Sequence, residues 1–199
     1  MYFPVFSPLY PNICYNTIYE ILIYQEEDMM KFTEIAPEES GFNPFTDWSK
    51  YILVTAGQKE KCNTLLVTRG TFGQIWRKKI ATVYIRQSRF TKTFLDSQDY
   101  FTLSCLSEDY KPQMSYMGRH SGRDEDKYKN SGLHPIDLDG AAAIEEADLV
   151  FVCKKIYTAE LTEDHYTNKE IYMKHNSGSH SNDNHSVYMG EIVKVYKKV

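Results

Sequence analysis

Apolar residues in this chain fall in short, β-rich runs separated by polar turns. Tyr51-Ile52-Leu53-Val54-Thr55-Ala56 reads as a strand, Gly57-Gln58-Lys59-Glu60-Lys61 as a turn, and Asn63 to Thr68 as the strand that pairs back. Ile80 to Arg86, rich in β-branched residues and Tyr, is a third strand, and Tyr100 to Leu106 a fourth. Ala147, Leu149, Phe151 and Cys153 alternate with Asp148, Val150, Val152 and Lys154, which predicts a long strand with at least one buried face; Val187 to Tyr196 supplies the last. Helical signals lie between strands. Ser107 followed by Glu108 and Asp109 reads as an N-cap with an acidic first turn, and Tyr110, Met114 and Met117 then fall at helical spacing as a core-facing stripe. Ser121-Gly122-Arg123-Asp124 has the spacing of a capping box, predicting a short helix to about Lys129 that stops at Gly132. Residues 175–185 read as a polar loop of low complexity. Six or so strands with one or two short helices predict a mainly β protein, a closed antiparallel barrel and not a parallel α/β sheet.

Composition narrows the function classes. With 199 residues, 42% of them apolar and 25% charged, the chain is long enough for one domain with a real core. Its formal charge of −4 is unevenly placed. Residues 1–30 hold Glu20, Glu26, Glu27 and Asp28 but no Lys, Arg or His, which leaves 23 basic and 23 acidic residues in 31–199. A neutral domain is not expected to take nucleic acid as its main partner, since phosphate backbones require a positive surplus. No apolar run approaches the ~20 residues of a membrane-spanning helix, and the leader lacks the basic start of a secretory signal. Cys14, Cys62, Cys105 and Cys153 are far apart with no C-x-x-C pair, and read as reduced thiols of a cytoplasmic protein. Met29 and Met30 stand where the odd composition stops, so residues 1–30 read as an atypical extension ahead of a domain spanning 31–199: either translation begins at one of these methionines and 1–28 is an upstream over-extension, or the leader is a genuine Tyr-rich extension that packs on the domain.

Few residues announce chemistry. There is no G-x-G-x-x-G, Walker loop, H-E-x-x-H or nucleophile elbow. His175, His180 and His185, at five-residue steps on a polar loop, are a weak metal pattern, and no metal is expected. His120 and Ser121 are adjacent and make a poor hydrolase pair. Arg86-Gln87-Ser88-Arg89-Phe90-Thr91 is more informative: two guanidiniums and two hydroxyls gather at the end of a strand, a donor set that matches phosphate oxygens.

Four ordered blocks then resemble flavin reductase-like proteins. They are Asn63 to Gly70 with Gly73 and Trp76; Thr82 to Thr91; Gly118-Arg119-His120-Ser121-Gly122-Arg123-Asp124 with Asp126-Lys127; and His185 with Tyr188 to Val193. The resemblance covers roughly residues 45–198. It implies a Greek-key split β-barrel with short peripheral helices, a homodimer, and FMN bound at or near the dimer interface. By that resemblance Asn63, Thr64 and Thr68 meet the flavin through side-chain or backbone groups, and Arg86, Ser88, Arg89 and Thr91 hold its phosphate and ribityl chain. His120, Ser121, Arg123 and Lys127 complete the pocket, with His185 close by. Taken singly, each residue has a plainer role open to it, such as a hairpin hydrogen bond for Asn63 or a helix cap for Ser121. Leu65-Leu66 and Arg69 depart from the family pattern of Met-Thr and Trp. Leu66 removes a hydroxyl, and Arg69 sets a cation where a ring is usual, which favours reduced, anionic flavin or an acidic partner. The implied activity is hydride transfer from NADH or NADPH to FMN, with electrons passing on to free flavin, a partner protein or another acceptor. That step needs no acid or base, so no catalytic side chain is assigned. The alternatives are an FMN-binding electron carrier that does not itself oxidise NAD(P)H, and a flavin-binding protein without turnover.

Overall fold

A computed structural model describes residues 31–50 and 52–199. The leader and the expected start at Met29 or Met30 lie outside the described residues. In chain order the elements are β1 (Phe32–Ile35), β2 (Ile52–Gln58), β3 (Lys61–Val67), β4 (Gly70–Ile75), β5 (Lys78–Arg86), α1 (Phe90–Ser97), β6 (Tyr100–Cys105), α2 (Lys111–Arg119), α3 (Lys127–Ser131), β7 (Pro135–Leu138), β8 (Ala141–Ile144), β9 (Leu149–Glu160), α4 (Lys169–His175) and β10 (His185–Lys198).

One sheet runs in the order β3-β2-β6-β9-β10-β5-β4, with β1 beside β10, and β7 and β8 form a separate hairpin. Every pairing among the described strands is antiparallel. The sheet curls on itself, because side chains from its two ends share one core: Ile52, Val54 and Val67 of β2 and β3 pack in the same cluster as Ala81, Val83 and Ile85 of β5. Closure is incomplete. β3 and β4 follow one another through Thr68 and Arg69, yet they stand at opposite ends of the strand order and no ladder joins them. The barrel is therefore split along one seam. One lip is β3, which among the described strands pairs only with β2; the other is Tyr84–Arg86 of β5, since β4 stops opposite Val83. Unpaired strand edges are hydrogen-bonding surfaces, and here they face a groove.

The outer face of the barrel is covered where it matters. Along β9, Leu149, Phe151 and Cys153 point into the barrel core, while Val150 and Val152 pack with Ile136, Leu138, Ala141 and Ala143 of the β7–β8 hairpin. Both faces of the first five residues of this strand are buried, one face more than the alternation requires. On β2, Leu53 points outward against Met114 and Met117 of α2, so the expected methionine stripe is core.

Three local readings are corrected. β2 runs on through Gln58 and turns at Lys59 and Glu60 alone; Gly57, at φ 116°, lets the ladder continue, as a Cβ there would lie 2.4 Å from the Lys61 carbonyl oxygen. Ser107 does not cap through its side chain: a single tight turn at Glu108–Tyr110 intervenes before α2. The cap of α3 is Asp126, not Ser121; its carboxylate accepts from the N–H groups of Tyr128 and Lys129 at 3.1 Å each, and the helix stops at Gly132 as expected.

Candidate functional site

The seam opens into two adjoining clefts. The first, of about 250 Å³, lies between the lips and is lined by Leu65 to Arg69 on one side, Tyr84, Ile85, Arg86 and Arg89 on the other, with His180 and His185 above. The second, of about 170 Å³, continues past Leu65, Leu66 and Arg89 to Asn63, Ser88, Thr91, the 117–123 segment and Lys127. Leu65, Leu66 and Arg89 line both, so the two clefts form one groove. Its walls carry Arg69, Arg86, Arg89, Arg119, Arg123 and Lys127, a positive lining within a domain of no net charge.

Of the twelve residues expected from sequence, eleven line this groove. Thr68, Arg86, Arg89 and His185 belong to the first cleft; Asn63, Ser88, Arg89, Thr91, His120, Ser121, Arg123 and Lys127 to the second. Thr64 is the exception. Its side chain is fully buried on the other face of β3, where its hydroxyl meets those of Thr55 at 2.7 Å and Tyr128 at 2.9 Å. Only its main-chain oxygen points toward the groove wall, accepting from Lys127 Nζ at 2.7 Å.

The second cleft is braced by contacts between distant segments. Asn63 Nδ2 donates to Thr91 Oγ1 at 2.6 Å, joining β3 to α1. Gly122 passes so close that a Cβ would lie 2.2 Å from Asn63 Oδ1, which gives the glycine of the H-S-G-R-D block a steric reason. Arg123 donates to the Ser88 carbonyl at 3.0 Å and lies over the Phe90 ring, 5.0 Å from its centre. Glu125 gathers Tyr116, His120 and Asn130 at 2.5–2.6 Å, and the Tyr116 and His120 rings stack 3.8 Å apart. Those hydrogen bonds, from Tyr116 first and then Asn130, hold the Glu125 carboxyl below its usual range.

Lys127 is 3% exposed, and its ammonium donates to the carbonyls of Thr64 and Met117 at 2.7 and 2.6 Å. Burial, aided by repulsion from Arg89, lowers its pKa to about 8. The two arginines of the phosphate-like motif differ. Arg86 is engaged: it donates to the main-chain oxygens of Asp183 at 2.6 Å and His175 at 2.8 Å, and so pins the 175–184 segment over the groove. Arg89 is exposed, and its guanidinium has no hydrogen-bond or ion-pair partner among the described residues. That segment, expected as loose loop, is built: α4 leads to a buried Asn176, whose Nδ2 donates to the Tyr172 carbonyl at 3.1 Å. Among the described residues no three His, Cys, Asp or Glu side chains converge as a metal site.

His185 sits in this positive environment. Desolvation, then the charges of Arg86 and Arg69, lower its pKa from 6.5 to about 4, so the ring is neutral at pH 7. The linkage has a definite sign. The unfolded chain takes up the proton below 6.5 while the folded one refuses it until about 4, so stability is present above 6.5 and lost as pH falls toward 4. Discounted for the ring's partial exposure, the loss attributable to His185 is about 1–2 kcal/mol. Chemical denaturation of wild type and His185→Gln at pH 7 and pH 4.5 checks it: the variant should lose less stability between the two.

Residues 49–198 match the model of the flavin reductase-like domain. The chain belongs to the flavin reductase-like family. Solved structures agree on the fold of this flavin reductase-like chain. An FMN-binding domain of a flavin reductases-like enzyme from Shewanella baltica superposes with a TM-score of 0.60 at 13% identity, covering 84% of this chain and 77% of that one. A protein from Shewanella frigidimarina described as having a split barrel domain gives 0.58 at 16% identity, over 89% and 71%. An NADH:FAD oxidoreductase from Streptomyces globisporus gives 0.55 at 14% identity, over 74% of each chain. No curated protein matches the sequence. Among the described residues no helix is long and apolar enough to cross a membrane.

Sequence reasoning missed several groove residues. Arg119 lies inside the G-x-H-S-G-R-D-x-D-K block and carried a positional signal, and His180 was read only as part of a weak metal pattern; behind the lining, Glu125 sits in the same block, while Asp183, on the segment between β9 and β10, carried no signal.

Proposed function

We propose that this protein is an FMN-dependent oxidoreductase that binds the cofactor in the seam groove and takes electrons from NADH or NADPH. The observation that carries the reading is the convergence of four separate sequence blocks on one positively lined groove at the open edge of the barrel. The residues present fit the group. The unpaired lips of β3 and β5 offer main-chain donors and acceptors suited to the polar edge of a flat heterocycle, and Leu65 and Leu66 offer an apolar surface for its rings. Arg89, Thr91, Ser88 and Arg123 offer a phosphate its cationic and neutral donors. FMN, when bound, supplies the two-electron chemistry, and the protein supplies binding, orientation and electrostatics.

The chain's part is to hold and to exclude. Arg86 fixes the 175–184 segment across the mouth of the first cleft, which limits water there. His185, neutral at pH 7, presents an uncharged ring to that cleft, and Arg69 adds a positive charge beside it. This charge favours an anionic reduced cofactor or an anionic acceptor over a cationic one. Assembly as a homodimer is part of the same reading and is checked by light scattering of the purified protein.

The decisive experiment is spectroscopic. Purified protein, as isolated or after incubation with FMN, should show a bound-flavin spectrum that NADH or NADPH bleaches anaerobically. A flavin spectrum that neither nucleotide bleaches identifies an electron carrier served by another protein. A protein that takes up no FMN overturns the reading.

A further inference from the structure

The donors of Ser88 are already taken by the chain's own carboxylate. Asp183 Oδ1 accepts the Ser88 N–H and Oδ2 accepts the Ser88 hydroxyl, both at 2.8 Å. The same residue's main-chain oxygen accepts from Arg86 at 2.6 Å, and the neighbouring Asn184 carbonyl accepts the Gln87 N–H at 3.1 Å. His180 Nδ1 stands 3.9 Å from Oδ2. A negatively charged group with two acceptor oxygens thus occupies the middle of the Arg86–Thr91 motif, with the unpartnered Arg89 beside it. These are the donors a phosphate monoester would use.

We propose that Asp183 is a specificity residue: it competes with a ligand phosphate for Ser88 and so sets the balance between flavins that carry a terminal phosphate and those that do not. The inference rests on the flavin-binding reading above. A single N–H and a single hydroxyl proton cannot serve two anions at once. Two anions side by side also repel each other, and the groove's partial desolvation strengthens that repulsion. A phosphate reaching Ser88 must therefore lift Asp183 away, and with it the 181–184 segment that Arg86 and Gln87 hold by main-chain oxygens. A flavin that ends in the ribityl hydroxyl meets no such competition. Asp183 accordingly weakens FMN selectively and leaves riboflavin unaffected. Asn in its place keeps the size and one acceptor for the Ser88 N–H, but removes the charge.

The test is a comparison of two ligands on two proteins. FMN and riboflavin are titrated into wild type and Asp183→Asn, with binding read by flavin fluorescence. Replacing a charge-assisted contact by a neutral one should tighten FMN roughly tenfold, with riboflavin unchanged, so the FMN-to-riboflavin preference rises by the same factor. An unaltered or lowered preference overturns the proposal, as does an equal gain for both ligands, which indicates only a looser cover. Ser88→Ala provides an independent check: with the hydroxyl gone and only the Ser88 N–H left to share, the further change Asp183→Asn should alter the preference clearly less, and an undiminished effect overturns the competition. Failure is attributable. If wild type binds neither flavin, the functional reading falls and the competition with it; if both bind and the preference does not move, only the competition falls.

Discussion

Alanine in place of Arg89 should weaken FMN binding by about 1–3 kcal/mol, the worth of charge-assisted hydrogen bonds, while leaving the fold as stable as before. The second half of that expectation comes from the structure. Arg89 is exposed, its side chain makes no hydrogen bond or ion pair among the described residues, and it repels the buried ammonium of Lys127. Removing it breaks nothing and relieves Lys127, whose pKa should move up from about 8. Arg86→Ala is the contrasting variant. It strips two main-chain oxygens of their donor and frees the 175–184 segment, so stability and binding should fall together. Flavin fluorescence titration with a melting curve for each variant separates the two outcomes. Unchanged FMN affinity in Arg89→Ala removes that residue from the site.

Phe151→Ala should cost about 3–5 kcal/mol of unfolding free energy, a large share of the roughly 5–15 kcal/mol typical of a domain. Phe151 is 1% exposed near the start of β9, and its ring meets Phe72 at 4.8 Å and Phe42 at 5.4 Å, both edge-on. Phe72 comes from β4, which has β5 as its only strand partner among the described residues. The aromatic contact is therefore what draws one end of the sheet back over the core. A cavity at Phe151 should loosen β4 first and the seam with it. Urea unfolding measures the total, and hydrogen exchange in 70–75 against 150–154 shows where the loss falls. A loss below 1 kcal/mol, or protection lost evenly, contradicts this account.

Much of this was legible because strands and cofactor motifs are local in sequence. The runs at 51–56, 63–68, 80–86, 100–106, 147–154 and 187–196 each became a strand, and β9 runs on to Glu160 through exposed and half-buried residues held by its ladder to β10, a pairing that alternation cannot report. The β7–β8 hairpin escaped notice although Asp139-Gly140 marks its turn, because Ala141–Ala143 carries no β preference and is held by burial against β9. α1 and α4 escaped because neither has the length for a clear period. Eleven of the twelve expected site residues line the groove, since they sit in short blocks. The Thr64 side chain stands apart because its hydroxyl is taken up in the core by Thr55 and by Tyr128, the latter a pairing across 64 residues that local sequence does not report. Asp183 and the engagement of Arg86 were out of reach, as both depend on a partner about 90 residues away.

The place of β10 in the sheet bears on how the protein comes to be made. Residues 185–198 stand between β9 and β5 and also pair with β1, so elements from the first third and the last third of the described chain meet on one strand. Until that strand leaves the ribosome, β5 and β4 have nothing to join them to β9, β6, β2 and β3. The hairpins can form during synthesis; the barrel cannot. Folding must then end in a single late event with long-range contacts, in the slow regime of about milliseconds to seconds for such topologies, and a nascent chain stalled before residue 185 exposes two sheet halves that chaperones have to keep apart.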